Sequence, residues 1–453
     1  SIAGNPNTST ELLTWYNLVG SLRYRRVWSD RFSQTVTAGK TTYDYTTGNT
    51  IIDRRGNGTV SSSLFYDARI SEYILRSDFI LRYGQHNTLR LGAGLASRSY
   101  QPGAFTNTLE STVEENNFSR DTTFKRAEAH NLEHSLYFEN IMQLGAKVSL
   151  NLGARLAWID GKYPRIQPRL SLGKKFGKQT TVKASFSTIR QNAHLLVSGN
   201  LGVPRDLWIP ITSRLPPQDS WQVALGLEKL IKNTWKVTTE LYYKSMDGVV
   251  NYRPGAGVLS VGNFDDLALT GQGEAYGLEF QLQRSTGRLT GQLSHTLSWS
   301  WRTFAGINQG NRFPYRYDRR HNLSLTANYI LKPQKIQLNL SFVYQSGNPV
   351  TLTSTEVAPL NQEVEVTRYL TFDEVNGYRI PPTNRLDLGI SFSKKKKKRE
   401  RIISLGLYNA YARRNPYYVT VRQQTTGDGR RLGQLVKVNL FRVVPSISYS
   451  LKW

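Results

Sequence analysis

The stretch that decides the fold is VKVNLFRVVPSISYSLKW, the last eighteen residues of the chain, 436–453. Counted back in twos from the end, its apolar positions are Val443, Pro445, Ile447, Tyr449, Leu451 and Trp453. From position 446 onward, serine or lysine fills the positions between them. This period of two predicts a β-strand with one apolar and one polar face. A closing strand that ends on an aromatic residue is typical of an outer-membrane β-barrel, because that residue lies at the membrane interface.

The same alternation recurs in the segments 148–158, 276–283, 289–301, 336–345 and 385–392. In the fourth of these, Leu338 and Leu340 alternate with Asn339 and Ser341. The polar set suits the wet lumen of a large barrel, so we expect the leucines to contact lipid and Asn339 to face the lumen. A soluble sandwich would show the same period with its apolar face inside. The period alone therefore leaves both architectures open.

The predicted connections between strands alternate in length. The short ones lie near residues 24–32, 84–88, 142–147, 176–180, 230–234, 285–288, 331–334 and 393–400. The long ones lie near residues 46–63, 100–125, 191–218, 251–273, 302–317, 350–382 and 419–434. The link at 160–164 is shorter, but it stands where the alternation would place a long connection. Short turns on one rim and long loops on the other are typical of outer-membrane barrels. The order predicts an all-β chain that forms a transmembrane antiparallel β-barrel in the bacterial outer membrane.

The segments amount to about 17 strands, whereas bacterial single-chain barrels have an even number. If the last strand runs toward the periplasm, the first one, at 12–24, does too, and the two cannot close a barrel by antiparallel pairing. We therefore expect residues 1–453 to be the C-terminal part of a larger barrel whose first strands lie outside this chain. The loops holding Trp208 and Glu365 should be extracellular, and the lysines at 394–398 periplasmic.

Composition narrows the class further. The chain has 453 residues, a net charge of +26 and a mean hydropathy of −0.45. A membrane barrel has this soluble-looking composition because half of each strand faces water. The 9 Trp and 25 Tyr suit aromatic belts, and no apolar run is long enough for a transmembrane helix. With no cysteine, disulfides and thiolate metal sites are excluded.

The positive charge suits either anionic lipid headgroups, including lipopolysaccharide, or nucleic acid. The densest run, KKKKKR at 394–399, lies directly between two strand patterns, and no nucleic-acid-binding motif accompanies it. We interpret the run as a turn and expect no nucleic-acid partner.

His130, Glu133 and His134 spell H-x-x-E-H, a zinc-protease motif that needs both histidines on one face of a helix. Here Leu132 and Leu136 share a period of two with the histidines, which indicates a strand with Glu133 on the other face. We therefore expect no catalytic zinc, no other metal or cofactor site and no enzyme activity. The chain also has no phosphate loop and no nucleophile elbow.

Several segments resemble TonB-dependent receptors, in the branch whose barrel follows a plug and often a carboxypeptidase-regulatory-like domain. They keep the family's order over roughly the last 250 residues. They are GVPRDLWIP (202–210), GQGEAYGLEFQLQRSTGRLTGQLSHTLSWSWR (271–302), FPYRYDRRHNLSLTANYIL (313–331), SGNPVTL (346–352), TNRLDLGISFSKKKKKRERIISLGLYNAYARRNPYYV (383–419) and VVPSISYSLKW (443–453). RISEYILRSDFILRYG (69–84) and LRLGAGL (89–95) fit more weakly.

The resemblance implies a barrel of 22 strands that imports a scarce nutrient of the siderophore, cobalamin, glycan or peptide class. In the family, a plug domain fills the barrel, and a TonB-type energy-transducing protein pulls on a short N-terminal box. Both parts lie upstream of the barrel, and neither is visible in this sequence.

Two loops carry the candidate ligand-binding residues, because loops on a rigid scaffold commonly carry binding sites. The first loop, at 202–210, contributes Arg205, Asp206 and Trp208. The second, rich in arginine and tyrosine, contributes Arg312, Tyr315, Arg316 and Tyr317. Purely structural roles stay open for both loops, namely folding around the tryptophan in the first and ion pairs of Asp318 with a neighbouring arginine in the second.

Three functions are compatible with the fold to different degrees. The first is TonB-dependent import without covalent chemistry. The second is a passive pore or a structural barrel that scaffolds a surface lipoprotein. The third, a soluble β-rich lectin or hydrolase, is disfavoured by the sorting of loops by length. An upstream plug with a motor-binding box would favour the first over the second.

Overall fold

The computed structural model describes residues 7–55, 58–113, 116–126, 128–197, 206–256, 262–357, 369–372, 374–396, 399–425 and 431–452. Its main element is one antiparallel sheet, in which seventeen long strands follow one another in chain order, each paired with the next. The first nine are β1 Asn7–Val27, β2 Phe32–Arg55, β3 Gly58–Tyr83, β4 Asn87–Val113, β5 Ala129–Leu144, β6 Val148–Ile159, β7 Lys162–Phe176, β8 Thr180–Gln191 and β9 Gln218–Ile231. The other eight are β10 Trp235–Tyr252, β11 Ala268–Arg284, β12 Leu289–Thr303, β13 His321–Lys332, β14 Ile336–Gln345, β15 Thr383–Lys396, β16 Arg399–Tyr408 and β17 Val444–Lys452.

The remaining elements belong to the longer connections. Asn116–Lys125 pairs with the end of β4, and Phe313–Pro314 pairs with the end of β12. Four small hairpins are formed by Ala193–Leu196 with Leu207–Pro210, Pro349–Val350 with Tyr378–Arg379, Thr353–Val357 with Tyr369–Phe372, and Tyr418–Thr425 with Arg431–Val438. The described helices are an α-helical turn, Phe264–Leu267, and a 3-10 turn, Asn308–Gly310. Among the described residues, no helix is long and apolar enough to cross a membrane.

The strand count and the sorting of connections agree with the prediction. Every second connection, starting between β1 and β2, is short, and these short turns all lie on one rim of the sheet. Because all pairings are antiparallel and the strands number seventeen, β1 and β17 run in the same direction.

The predicted long loop at 46–63 is wrong. β2 and β3 continue as paired strands, with Arg55 opposite Gly58. The ribbon is rich in threonine and serine, and threonine favours strands because its β-branched side chain suits a pleated surface. Polar residues follow one another here, as in Thr46 and Thr47 and the serines at 61–63, so the ribbon lacks the alternation that identifies strands elsewhere in the chain.

The outer face of the sheet is an exposed apolar surface. Leu340 lies opposite Leu388, and Leu338 lies opposite Ile390. These side chains line a shallow apolar depression together with Tyr329, Leu405 and Leu407. Leu338 and Leu388 remain 37% and 42% exposed. A continuous apolar face of this kind is not stable in water and indicates a surface that contacts lipid.

The inner face is polar and ion-paired. Glu133 of β5 accepts hydrogen bonds from Arg98 at 2.7 Å, from Arg155 at 2.5 Å and from Asn192 at 2.8 Å. The next residue, His134, lies on the opposite face, where its ring stacks on Trp158 with the centroids 5.2 Å apart. The two side chains thus diverge as the strand pattern predicts.

The sheet is strongly curled. Tyr66 in β3 and Phe264, just before β11, are separated by about eight strand spacings, or roughly 38 Å in a flat sheet. The Arg126 guanidinium nevertheless lies 5.1 Å from the Tyr66 ring and 4.5 Å from the Phe264 ring. Only a sheet that curves round on itself brings these two parts of the wall to one side chain.

The contacts at this point form a hydrophobic cluster at the long-loop end, which we call the mouth cluster. Its members come from both sides of the curled sheet and from the loop between β8 and β9. They are Tyr45, Tyr66, Leu196, Leu207, Ile209, Leu215, Tyr252, Phe264 and Ala268. The described parts of the loop between β8 and β9, residues 193–197 and 206–217, therefore pack against the wall at the mouth of the lumen.

His194 lies beside this cluster and is fully buried. Its Nε2 lies 2.9 Å from the Pro216 carbonyl oxygen and 3.3 Å from that of Leu215. Burial lowers the pKa of His194 because the charged imidazolium is desolvated, and this effect outweighs the opposite effect of the two carbonyls.

The outer face gives a first prediction. Leu340 is the fifth of ten residues in β14, so it lies near mid-membrane. Leu340→Lys should lower the free energy of unfolding by about 2–4 kcal/mol, because a cation on the lipid face must enter hydrocarbon. Urea unfolding in lipid vesicles measures this loss. The matched control is Ser341→Lys, on the inner face opposite Asp387, and equal losses in the two variants would contradict the assignment of faces.

His194 gives a second prediction. A histidine whose pKa is lowered by folding stabilises the fold fully above the unfolded value near 6.5, and this contribution is lost as the pH falls through the folded value. We expect hydrogen exchange in the 193–217 loop to accelerate as the pH is lowered from 7 to 5, after correction for the intrinsic rate.

His194→Gln should flatten this pH dependence, since glutamine keeps an N–H donor and does not titrate. The control is His86→Gln, in an exposed short turn, which should behave like the parent protein. A pH profile that is unchanged in His194→Gln would show that another group controls the loop.

Candidate ligand-binding site

Four of the seven predicted site residues converge above the lumen. They come from two loops, one between β8 and β9 and one between β12 and β13. The Tyr317 hydroxyl donates a hydrogen bond to the Asp206 carboxylate, across 111 residues of sequence. Tyr315 and Arg316 lie close enough to the Asp206 charge for it to affect their pKa values. We call Asp206, Tyr315, Arg316 and Tyr317 the Asp206 cluster.

The tyrosines of this cluster are neutral hydrogen-bonding groups. Burial raises the pKa of Tyr317, and its hydrogen bond to Asp206 raises it further. Burial also raises the pKa of Tyr315, while the nearby Arg302 lowers it and Asp206 raises it. Tyr317 remains 46% exposed, so its ring is available to a ligand entering from outside.

Arg316 brings a buried positive charge to the cluster. Its side chain is 5% exposed, and desolvation lowers its pKa, with Tyr317 and Asp206 acting in the opposite direction. A guanidinium keeps its proton in proteins, so the cation persists. Because a buried cation is stable only when compensated, we expect Asp206 to be important for the folding of both loops.

Arg302 extends the cluster into the lumen. It lies at the end of β12, with its guanidinium 3.9 Å above the Tyr315 ring. The Tyr315 and Tyr317 rings meet edge to face with their centroids 5.6 Å apart. A cation, two rings and a carboxylate therefore follow one another in space. Such a surface offers stacking, hydrogen bonds and charge to a polar ligand.

Asp318 fixes the second loop to the wall. It is 2% exposed, and its Oδ1 accepts a hydrogen bond from the Ser300 backbone N–H at 2.7 Å. Its other oxygen is paired with Arg379 and lies 3.5 Å from Arg320. The predicted ion pair of Asp318 with a neighbouring arginine therefore forms with Arg320. The second partner, Arg379, comes from the predicted long loop at 350–382, which nothing in the sequence linked to Asp318.

Two other predicted site residues lie elsewhere. Trp208 is 39% exposed in the small hairpin, opposite Leu195. Arg312 lies with its guanidinium 4.9 Å above the Trp301 ring, beside the outer aromatic girdle. This girdle is a row of adjacent rings across β9 to β12, formed by Trp221, Tyr243, Tyr276 and Trp299. The remaining candidate, Arg205, lies outside the described residues, as does Glu365.

Arg126 is the residue at the mouth that sequence reasoning missed. Besides its contacts with the Tyr66 and Phe264 rings, its Nε donates to the Gly262 carbonyl oxygen at 2.8 Å. Its local sequence, between a polar hairpin and β5, resembles any exposed loop. Within the described ranges, no group of three or more His, Asp or Glu side chains is placed to hold a metal ion.

The fold is similar to that of solved outer-membrane receptors. The unliganded ferric citrate transporter FecA is 11% identical, with a TM-score of 0.58 over 97% of this chain and 62% of that chain. BauA, the ferric preacinetobactin receptor from Acinetobacter baumannii, is 12% identical, with a TM-score of 0.57 over 97% of this chain and 63% of that chain. FyuA, the ferric yersiniabactin uptake receptor from Yersinia pestis, is 11% identical, with a TM-score of 0.55 over 97% of this chain and 71% of that chain.

This chain thus spans less than two thirds of the length of FecA and of BauA. At these identities the similarity concerns the fold. None of the curated protein sequences matches the chain.

The family assignment comes from the sequence itself. The model of the family described as "TonB dependent receptor-like, beta-barrel" matches residues 3–410. Together with the curled antiparallel sheet and its apolar outer face, this match shows that the chain belongs to the TonB-dependent receptor β-barrel family and is a transmembrane β-barrel of the bacterial outer membrane.

Proposed function

We propose that this chain is the main part of the barrel of a TonB-dependent transporter that imports a scarce nutrient. The observation that carries the proposal is the Asp206 cluster, in which two loops meet above a polar lumen. Extracellular loops capture the substrate at this cluster, and the ion-paired inner wall admits it without covalent chemistry. Arg205, Trp208 and Arg312 are proposed as further contacts on the loops around it.

The substrate belongs to the siderophore, cobalamin, glycan or peptide class. Stacked tyrosines, a carboxylate and buried arginines suit a polar ligand with rings and hydrogen-bonding groups. FecA, BauA and FyuA are named for ferric chelates, which favours the siderophore class within this range. The fold itself does not select among the classes.

Strands and a plug supplied by an upstream segment of the same protein would complete the transporter. Both faces of β1 are exposed, as Trp15, Tyr16, Leu18 and Val19 show, and β17 is exposed along nearly its whole length. An open edge is unfavourable in hydrocarbon because its backbone groups lack partners. About five further strands would complete the family's pattern of 22 and separate β1 from β17.

The proposed partners follow from this arrangement. A plug domain would fill the lumen, and a TonB-type protein would supply energy from the periplasm through the upstream segment. The short-turn rim would then face the periplasm and the long loops the cell exterior, in contact with lipopolysaccharide.

A passive pore, or a structural barrel that scaffolds a surface lipoprotein, is the second candidate function. The lumen lined by Glu133 and its arginines would conduct ions in such a pore. The two functions differ in whether the lumen of the complete protein is closed at rest.

Planar-bilayer conductance tests the difference. We expect the full-length protein to be closed. The comparison protein lacks all residues before Ser1 and is refolded with the missing strands, but not the plug, added as a separate fragment. It should conduct, because only the plug blocks the lumen. Equal conductance of the two proteins would contradict the transporter and favour a passive pore.

The site itself is tested by ligand titration of the full-length protein, followed by tryptophan fluorescence. The panel contains ferric citrate, cobalamin, a maltooligosaccharide and a tripeptide. One class should bind, and Asp206→Asn should weaken its binding about tenfold or more, because a hydrogen bond to a charged group contributes about 1.5–3 kcal/mol. The matched control is Asp266→Asn, whose carboxylate is exposed and paired with Arg214 at 3.0 Å. Equal weakening by both substitutions would exclude the Asp206 cluster as the site.

A further inference from the structure

The positive charge of the chain is concentrated on the short-turn rim. The eight short turns, each taken with three flanking residues on either side, contain 22 Lys and Arg but only 2 Asp and Glu. The net charge of the whole chain is +26. The turns therefore account for +20 of this charge and the rest of the chain for +6. We call the short-turn end of the sheet the basic rim.

The cations of the basic rim are distributed over all eight turns. One from each turn, in chain order, is Arg26, Arg82, Lys147, Lys178, Lys232, Arg288, Lys335 and Lys394. Since consecutive strands are neighbours in the curled sheet, the turns are also neighbours along the rim. The charge therefore forms a continuous band around the wall.

Several of these cations lie against aromatic rings. The Arg26 guanidinium is 3.8 Å from the Trp28 ring centroid, Lys174 Nζ is 5.2 Å from that of Phe176, and the Arg284 guanidinium is 5.1 Å from that of Trp235. The first two pairs each lie within one turn, and the third joins the turn between β9 and β10 to the turn between β11 and β12. Aromatic rings with a cation alongside are the side chains found at the boundary between hydrocarbon and headgroups.

The cations also continue the apolar rows of the outer face. In β7, Leu170 and Leu172 are 43% and 44% exposed, and Lys174 is the next residue in the same row. In β11, Leu278 and Leu282 are followed in the same way by Arg284. The positive charges therefore lie immediately below the lipid-facing belt, at the depth of phosphate groups.

The long-loop rim has a different electrostatic character. Carboxylates there compensate exposed cations, as Asp266 does for Arg214 at 3.0 Å and Asp219 for Arg165 at 3.8 Å. On the basic rim, the described pairs of Lys236 and Lys183 share the single carboxylate of Glu228. Most of the charge of the basic rim is thus available to an external anion.

We propose that the basic rim binds the anionic headgroups of phosphatidylglycerol in the membrane leaflet on the periplasmic side. A leaflet touches every turn at once and at one depth, as the band of charge requires. An acidic protein docked from the periplasm would cover a few neighbouring turns and would not explain cations in the apolar rows. Each cation near an anionic membrane surface raises the binding constant about fivefold.

The test uses Trp235 as a local reporter in the full-length protein, reconstituted in phosphatidylcholine vesicles. Phosphatidylglycerol or phosphatidylcholine with brominated acyl chains is added, and bromine quenches the fluorescence of nearby tryptophans. The part of the quenching that disappears in the Trp235→Phe variant is assigned to Trp235. We expect phosphatidylglycerol to bind at least about fivefold more tightly than phosphatidylcholine near Trp235. This preference should shrink in 0.5 M NaCl, because salt screens exposed charges.

The test variant is K232Q/R284Q/R288Q, which removes three cations around Trp235. The ratio of phosphatidylglycerol to phosphatidylcholine binding should fall by about tenfold or more. If the parental ratio is below about ten, it should fall to one. The control K162Q/R165Q/R214Q removes three exposed cations from the opposite rim and should keep the parental preference. The mobility shift of unboiled protein in SDS gels verifies that both variants are folded.

Three outcomes would overturn the proposal. They are equal binding of the two lipids by the parent protein, equal loss of preference in the two variants, and a preference that salt does not weaken. Equal binding of the two lipids would leave an acidic periplasmic protein as the better candidate for the occupant of the basic rim.

Discussion

The constraint on which the whole structure depends is that backbone N–H and C=O groups have no partner in hydrocarbon other than each other. An antiparallel ladder from β1 to β17 satisfies it between neighbouring strands, with loops confined to the two ends. Because the ladder uses the backbone alone, the side chains are free to differ on its two sides. The outer side became apolar, and the inner side could carry buried ion pairs such as those of Glu133.

The same contrast between lipid and water made the wall predictable from the sequence. Strands such as β14 and β17 have the period of two because one side chain in two meets lipid. The contrast ends at the membrane surface. The ribbon formed by the outer parts of β2 and β3 does not face lipid, and one of its faces packs in the mouth cluster through Tyr66. Its strands therefore have no regular alternation, and a loop was predicted there. The predicted elements were therefore accurate inside the membrane and less accurate outside it.

The candidate site was predictable only as a set of residue types. A loop rich in arginine and tyrosine, and another with Asp206 and Trp208, were recognised as binding loops, and Asp206 does meet Tyr317. Their contact is set by the curl of the sheet and by the mouth cluster, which depend on residues hundreds of positions apart. For the same reason Arg126 was missed. Arg312 was grouped with the site through its position in the sequence, although its guanidinium lies over Trp301.

Asp318 shows how a loop can take the place of a strand. β12 extends beyond the start of β13, and only its last residues pair with the short strand Phe313–Pro314. Between the two pairings, the Asp318 carboxylate accepts the Ser300 N–H. The Tyr315 N–H donates to the Ser300 carbonyl oxygen at 2.9 Å on the same edge. The aromatic residues of the site are thus preorganised by the wall. Binding a ligand to them would cost little conformational entropy, because the loop is already ordered. The affinity would then depend mainly on the contacts made, and the residence time on how well the ligand fits them.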